Sequence, residues 1–198
     1  MSLDPPDLAG PKGWPALFPD GLDQLWLEVG FGSGEHLSWQ IGQNKTAAFI
    51  GCEPFINGMA ALLSGLPEAD RPRLRLYGDD GLDILRHLPD GALSRCFILF
   101  PDPWPKRRHA NRRFIRAETV PHIARTLRPG GELRVGSDDP TMIDWALMHL
   151  CAESRLHWQV SGSKDWLVRP DDWPATRYEQ KAIQSGRTPV FLRFLRGE

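Results

Sequence analysis

Short apolar runs alternate along this chain with stretches whose apolar residues recur at helical spacing. Leu25-Trp-Leu-Glu-Val29, Ala47-Ala-Phe-Ile-Gly-Cys52, Arg73 to Tyr77, Arg95 to Phe100 and Glu132 to Val135 have strand length and turn residues at their ends. Between them the spacing predicts helices over about Glu35–Gln43, Phe55–Leu66 and Gly81–Leu88. The second of these carries Met59, Leu62 and Leu63 on its inner face. A longer helical pattern runs from Phe114 to Leu127, and Pro121 inside it marks either a first turn or a kink. Arg128-Pro-Gly-Gly131 is then the expected helix stop. Asp139-Pro140-Thr141 starts another helix through Ile143 to Leu150, with Asp139 as its N-cap. After Leu150 the rhythm changes. Leu156 to Val160 and Pro189 to Leu195 are strands, joined by a region from Arg169 to Lys181, ending near Gly186, that has no periodic pattern and is expected to be a loop. The predicted class is α/β: a mostly parallel sheet with helices on both faces and an antiparallel edge made by the last two strands. Residues 1–20, rich in Pro, Gly and Asp, are expected to form a mostly irregular arm docked through Trp14, Leu17 or Phe18. Residues 21–198 form the single remaining domain.

Apolar residues make up 41% of the chain and charged residues 25%, the balance of a soluble globular protein. No apolar run reaches membrane-spanning length and no signal pattern opens the chain, so no membrane partner is expected. The three cysteines, Cys52, Cys96 and Cys151, are odd in number and far apart. They suit neither a disulfide framework nor a zinc site, which points to the cytoplasm and to no metal.

Acids and glycines close the strands. Strand one runs into Gly30-Phe-Gly-Ser-Gly34, whose glycines permit a tight turn and close backbone approach to a ligand. No P-loop lysine follows it. Glu53 ends strand two, where two carboxylate oxygens can match the vicinal hydroxyls of a ribose. Gly78-Asp79-Asp80 ends strand three, and Asp80, or its neighbour Asp79, can accept from an adenine amino group. Asp102 follows strand four and Asp138 follows strand five. Glu28 lies within strand one beside the glycines. In a parallel sheet all these ends share one rim. Several carboxylates over a glycine floor, without metal ligands, suit a ligand carrying hydroxyls and positive charge. S-adenosylmethionine fits that description, leaving S-adenosylhomocysteine as product; its ammonium and sulfonium would favour Glu28 and Asp102.

The stretch FILFPDPWPKRRHANRR, Phe97 to Arg113, joins this rim to a basic surface. Pro101, Pro103 and Pro105 stiffen a turn that carries Asp102 and Trp104. Lys106 to Arg116 holds six of the 24 basic residues and none of the 25 acidic ones, although net charge is only -1. A local basic patch on an otherwise acidic body marks a directed polyanion contact. Lys106, Arg107, Arg108, Arg112 and Arg113 are the candidate phosphate contacts.

These pieces together resemble the bacterial tRNA (guanine-N7-)-methyltransferase family of class I S-adenosylmethionine-dependent enzymes. The matching segments are LEVGFGSGEHL, GCEP, GDDGLDIL, FPDPWPKRRHANRRF, LRPGGEL, SDDP and TRYEQK, spread over about residues 25 to 195. The chain departs from the family pattern in its short, proline-rich start and in Gly81 after the strand-three acid. The resemblance implies a seven-stranded Rossmann-like sheet ordered 3-2-1-4-5-7-6. It implies donor binding by Glu28, Glu53, Asp80 and Asp102, to which the reading of the glycine loop adds Gly30, Gly32 and Gly34, and substrate contacts by Lys106, Asp138 and Thr176, Arg177, Tyr178 and Glu179. The substrate would be guanine N7 in the variable loop of tRNA. N7 already carries a lone pair, so the enzyme's work is orientation and stabilisation of the cationic product by Asp102 or Asp138. Extruding the base would allow stacking on Trp104 or Tyr178. A monomer or homodimer is expected. The rival readings are a methyltransferase of this fold acting on a small molecule or protein, and a non-catalytic RNA-binding relic.

Overall fold

The computed structural model describes residues 1–198 except Pro11, Lys12, Pro105 and the side chain of Arg107. Seven strands form one sheet in the order β3-β2-β1-β4-β5-β7-β6. The strands β1 (Gln24–Val29), β2 (Ala47–Cys52), β3 (Leu74–Tyr77), β4 (Leu93–Leu99) and β5 (Leu127–Ser137) are parallel. The last strand, β7 (Val190–Arg196), lies antiparallel between β5 and β6 (Leu156–Trp158). This is the expected class, order and antiparallel edge. Crossovers α1 (Glu35–Gln43), α2 (Ile56–Gly65), α3 (Gly81–His87), α4 (Val120–Thr126) and α5 (Pro140–Cys151) link the strands, and α6 (Lys164–Leu167) and α7 (Arg177–Gln184) precede β7.

Alternating side chains along each strand build two cores. One face buries Leu25, Leu27, Ile50, Cys96, Ile98 and Val135. The other buries Trp26, Phe49, Phe97 and Leu99, together with Trp173 from the carboxy-terminal segment. Burial on both faces is why the central strands read as nearly continuous apolar runs. The amino-terminal residues belong to the first core through Leu3, Leu8 and Phe18. Leu3 N donates to Leu76 O at 2.9 Å and Leu76 N donates to Met1 O at 2.8 Å, which covers the outer edge of β3. The expected irregular arm is ordered into two short 3-10 turns, Pro5–Ala9 and Trp14–Leu17.

Three elements differ from the sequence reading. The helix expected from Phe114 begins only at Val120, and Pro121 sits in its first turn. Before it, Thr119 Oγ1 donates to Phe114 O and accepts from Arg116 N, so the side chain holds this segment in turns. The Arg128–Gly131 segment is an excursion inside β5: Leu127 pairs with Leu93 and Glu132 with Arg95, with the intervening residues looped out. The largest difference is α7, inside the expected loop. Thr176 caps it, its Oγ1 accepting from Glu179 N at 3.3 Å. Thr-x-x-Glu is a capping signal that was readable in the sequence.

Candidate active site

Strand register sets the site. Val29 lies beside Cys52 and Ile98, Cys52 beside Tyr77, and Leu99 beside Gly136. The residues that follow β1 to β5 therefore meet along one rim, the edge where open α/β sheets bind ligands. A cavity of about 670 Å³ opens there, lined among others by Glu28, Gly32, Glu53, Asp102, Trp104 and Tyr178. A second of about 300 Å³, lined by Asp79 and Asp80, shares Val29, Gly30, Pro54, Arg112 and Phe114 with the first.

The floor is the glycine loop. Gly30, Gly32 and Gly34 have φ of 71°, 57° and 78°, the left-handed region that side chains resist. Glu53 fastens the loop: Oε2 accepts from Gly32 N at 2.7 Å and Oε1 from Phe55 N at 3.0 Å. Each oxygen keeps a lone pair for a further donor, as a ribose diol would supply. A Cβ on Gly58 would lie 2.2 Å from Gly32 O, so the first turn of α2 packs directly on the loop. Glu28 is only 3% exposed, yet lines the cavity. Its Oε2 is 2.7 Å from His36 Nδ1. Asp80 caps α3 by accepting from Leu82 N at 3.0 Å, while Asp79 Oδ1 accepts from Asp80 N at 2.8 Å.

Asp102 lines the same cavity, exposed and without a hydrogen bond to any described residue. The turn that carries it is strained and held. Phe100 and Trp104 have φ of 49° and 41°, rare for residues with side chains. Phe100 N donates to Gly136 O at 2.7 Å. Arg113 Nε donates to Pro103 O and one terminal nitrogen to Trp104 O, both at 2.9 Å, and its guanidinium lies 4.6 Å from the Trp145 ring centre. Arg113 is 4% exposed. It is a clamp on the Asp102 turn, its guanidinium buried against carbonyls, unlike its exposed neighbours among the expected phosphate contacts.

Its neighbours behave differently. Lys106, Arg108 and Arg112 are exposed. Arg112 lies 4.6 Å over the Trp104 ring and lines both cavities, and His109 meets the same ring edge-on at 5.8 Å. The expected contact through the Arg107 side chain lies outside the described residues.

The carboxy-terminal segment covers the floor. Arg177 N donates to Glu35 Oε2 at 2.7 Å, tying the start of α7 to the start of α1. A Cβ on Gly32 would meet the Tyr178 ring at 3.3 Å, so Tyr178 lies over the glycine loop while remaining 45% exposed. Thr176, Arg177 and Tyr178 all line the main cavity. Glu179 does not. It is buried, with Oε1 paired to Arg169 Nε at 3.1 Å and Oε2 without a hydrogen-bond partner among the described residues. Asp138, just after the end of β5, pairs with Arg187 Nε at 2.9 Å and is not among the residues lining these two cavities. Asp139 caps α5 as expected, accepting from Met142 N at 2.9 Å.

The sequence reading missed His36 and Gln40. Their bonds join α1 to β1 and to the Asp172 carbonyl 132 residues away, and no local pattern signals that. Burial pushes the Cys96 thiol up to about 12 and raises Cys52 well above its ordinary value, so neither is a thiolate at neutral pH. No helix among the described residues is long and apolar enough to cross a membrane.

Comparison with known proteins agrees with this geometry. A family model described as "Putative methyltransferase" matches residues 23–192. The tRNA (guanine-N(7)-)-methyltransferase of Rhodospirillum rubrum is 49% identical over 186 residues, covering 94% of this chain and 72% of that protein. The one from Azorhizobium caulinodans is 43% identical over 194 residues, covering 98% of this chain and 83% of that protein. The crystal structure of an rRNA methylase from Streptococcus thermophilus superposes with a TM-score of 0.60 at 12% identity, over 92% of this chain and 91% of that one, which speaks for the fold alone. With a methyltransferase sheet, an acid-lined cavity at its switch point and relatives of this similarity across nearly its whole length, the chain belongs to the tRNA (guanine-N7-)-methyltransferase family.

Proposed function

We propose that this chain transfers a methyl group from S-adenosylmethionine to N7 of guanine in tRNA. The observation that carries this reading is the continuity of one cavity, whose acid-lined, glycine-floored end opens directly onto Asp102, Trp104 and the exposed cation Arg112.

The donor set fits the methyl donor. Glu53 offers two oxygens to the ribose hydroxyls, Asp80 and Asp79 line the smaller adjoining cavity that suits the adenine, and Glu28 faces the cationic end. S-adenosylmethionine, when bound, supplies an electrophilic methyl on a sulfonium. The chain's residues have only to align guanine N7 with it, because N7 brings its own lone pair. Such alignment is worth about 7–11 kcal/mol. Asp102, without a hydrogen bond to any described residue, is free to face the base as it becomes cationic. Trp104 and Tyr178 flank the opening and offer stacking faces to an extruded base. Lys106, Arg108 and Arg112, all exposed, hold phosphates in this reading and make binding salt-dependent.

Labelled donor, incubated with the chain and separately with unmodified tRNA, total protein and a small-molecule extract, tests the reading. Label is expected in tRNA alone. Label in protein or small molecules with none in tRNA would favour the rival methyltransferase, and donor binding without transfer would favour the relic.

A further inference from the structure

The buried side chains under the acid floor fix one another's hydrogen-bonding roles, starting from two backbone carbonyls. Asn44 Nδ2 lies 2.9 Å from the Gln40 carbonyl oxygen, an atom that only accepts, so the Asn44 amide presents its nitrogen here. The same nitrogen donates to Gln40 Oε1 at 3.1 Å. At the other end of the Gln40 amide, Nε2 donates to the Asp172 carbonyl at 2.9 Å. Its second hydrogen is left for His36 Nε2, 3.1 Å away. A proton on that ring nitrogen would set donor against donor where neither reaches water, since Gln40 and His36 are 1% and 2% exposed. His36 Nε2 is therefore the acceptor, and the ring's single proton sits on Nδ1, which donates to Glu28 Oε2 at 2.7 Å. The tautomer is assigned from the network. The rings of Phe97 and Trp173, with centroids 4.7 and 5.8 Å from that of His36, pack against the imidazole.

We infer that Gln40 holds His36 as the neutral Nδ1–H tautomer, so that Glu28 is oriented by an uncharged donor and keeps its whole negative charge for a cationic ligand in the cavity. An imidazolium at this place would form an ion pair with Glu28 and cancel that charge. The other ionic groups nearby are already engaged. The Asp172 carboxylate is turned to Arg134 and Arg95, and Glu35 to Arg177. Glu28 Oε1 has no hydrogen bond to any described residue, and Glu28 lines the cavity. His36 and Gln40 are thus positioning residues. The inference rests on the proposed reading of the cavity as a methyl-donor site. It adds a discrimination: the pocket prefers the sulfonium donor over its uncharged thioether product, S-adenosylhomocysteine.

Nitrogen-15 spectra of the full chain with labelled histidine, at neutral pH and without ligand, give the direct test. His36 is expected to show a protonated Nδ1 and a bare Nε2. An imidazolium, or a proton on Nε2, overturns the inference. Calorimetry with S-adenosylmethionine and S-adenosylhomocysteine then reads the consequence. His36→Asn keeps a neutral donor to Glu28 and is expected to hold both affinities within about threefold. Glu28→Gln removes the charge that the neutral ring leaves intact while keeping the size of the side chain. Its preference for donor over product is expected to fall on the order of tenfold. An unchanged preference in that variant also overturns the inference. If Glu28→Gln does not fold, the wild-type spectrum still decides the tautomer. If the wild type binds neither compound, the reading of the cavity fails while the spectrum independently reports on the network.

Discussion

The floor and the cover of the active site are built in opposite ways. The floor comes from the glycine loop and the acids that directly follow or lie in β1 to β4: Glu28, Glu53, Asp80 and Asp102 sit where each strand meets the rim. The cover comes from residues 176–178, and reaches the floor through Arg177 N to Glu35, 142 positions apart in the chain, and through Tyr178 over Gly32. A floor set by strand register is fixed once the sheet forms. A cover held by a helix cap and a few side chains has a lower local stability and can yield without unfolding the sheet. Substitutions in the floor should therefore strike chemistry or the whole fold, and substitutions in the cover should strike substrate affinity first.

The largest effect is expected at Asp102. Its side chain has no hydrogen bond to a described residue, so Asp102→Asn should leave the thermal midpoint in place while kcat/KM falls at least about a hundredfold. Full activity would remove Asp102 from the chemistry.

The adjacent arginines give a sharper contrast. Arg113→Met should cost about 2–3 kcal/mol in denaturant unfolding, because the Pro103 and Trp104 carbonyls lose their donor inside the protein. Arg112→Met should change stability by less than about 0.5 kcal/mol. In tRNA binding it should lower the slope of log affinity against log salt by about one. Equal behaviour of the two variants would dissolve the distinction between clamp and phosphate contact.

At the cover, Thr176→Ala removes the cap of α7 and should cost about 1 kcal/mol locally. Steady-state kinetics should show a higher KM for tRNA with kcat little changed. A loss confined to kcat would place Thr176 in the floor's class instead.

The smallest effect is in acid. The hydrogen bond from Arg134 is the main cause that holds the Asp172 carboxyl below its ordinary 3.8, with the charges of Arg134 and Arg95 adding to it and burial opposing. A carboxylate held low in the folded state contributes stability above its ordinary value and loses it as pH falls through the lowered one. Thermal midpoints taken from about pH 5 to about pH 2 should fall less steeply for Asp172→Asn than for the wild type.

The same division governs what could be read from the sequence. The ends of α1 and β2 followed from periodicity, because a buried strand and an amphipathic helix announce themselves locally, whereas the order of the seven strands came from the family resemblance. The strand-end acids were legible for the same reason. Arg113 was not, because nothing local separates it from Arg112. A 3-10 turn, Arg107–Arg112, ends between them, and only tertiary structure puts Trp145 and two carbonyls beneath one of the pair. Asp138 and Glu179 looked available as acids but meet Arg187 and Arg169, partners set by chain folding. Helix α7 was hidden by its short, strongly polar sequence, although its Thr-x-x-Glu cap was on view.

Mapping the methylated base in tRNA after incubation with the chain and S-adenosylmethionine tests the central claim most directly. The expected result is N7-methylguanine at a single position in the variable loop, lost with Asp102→Asn. Tight donor binding with no methyl group on any guanine N7 would contradict it.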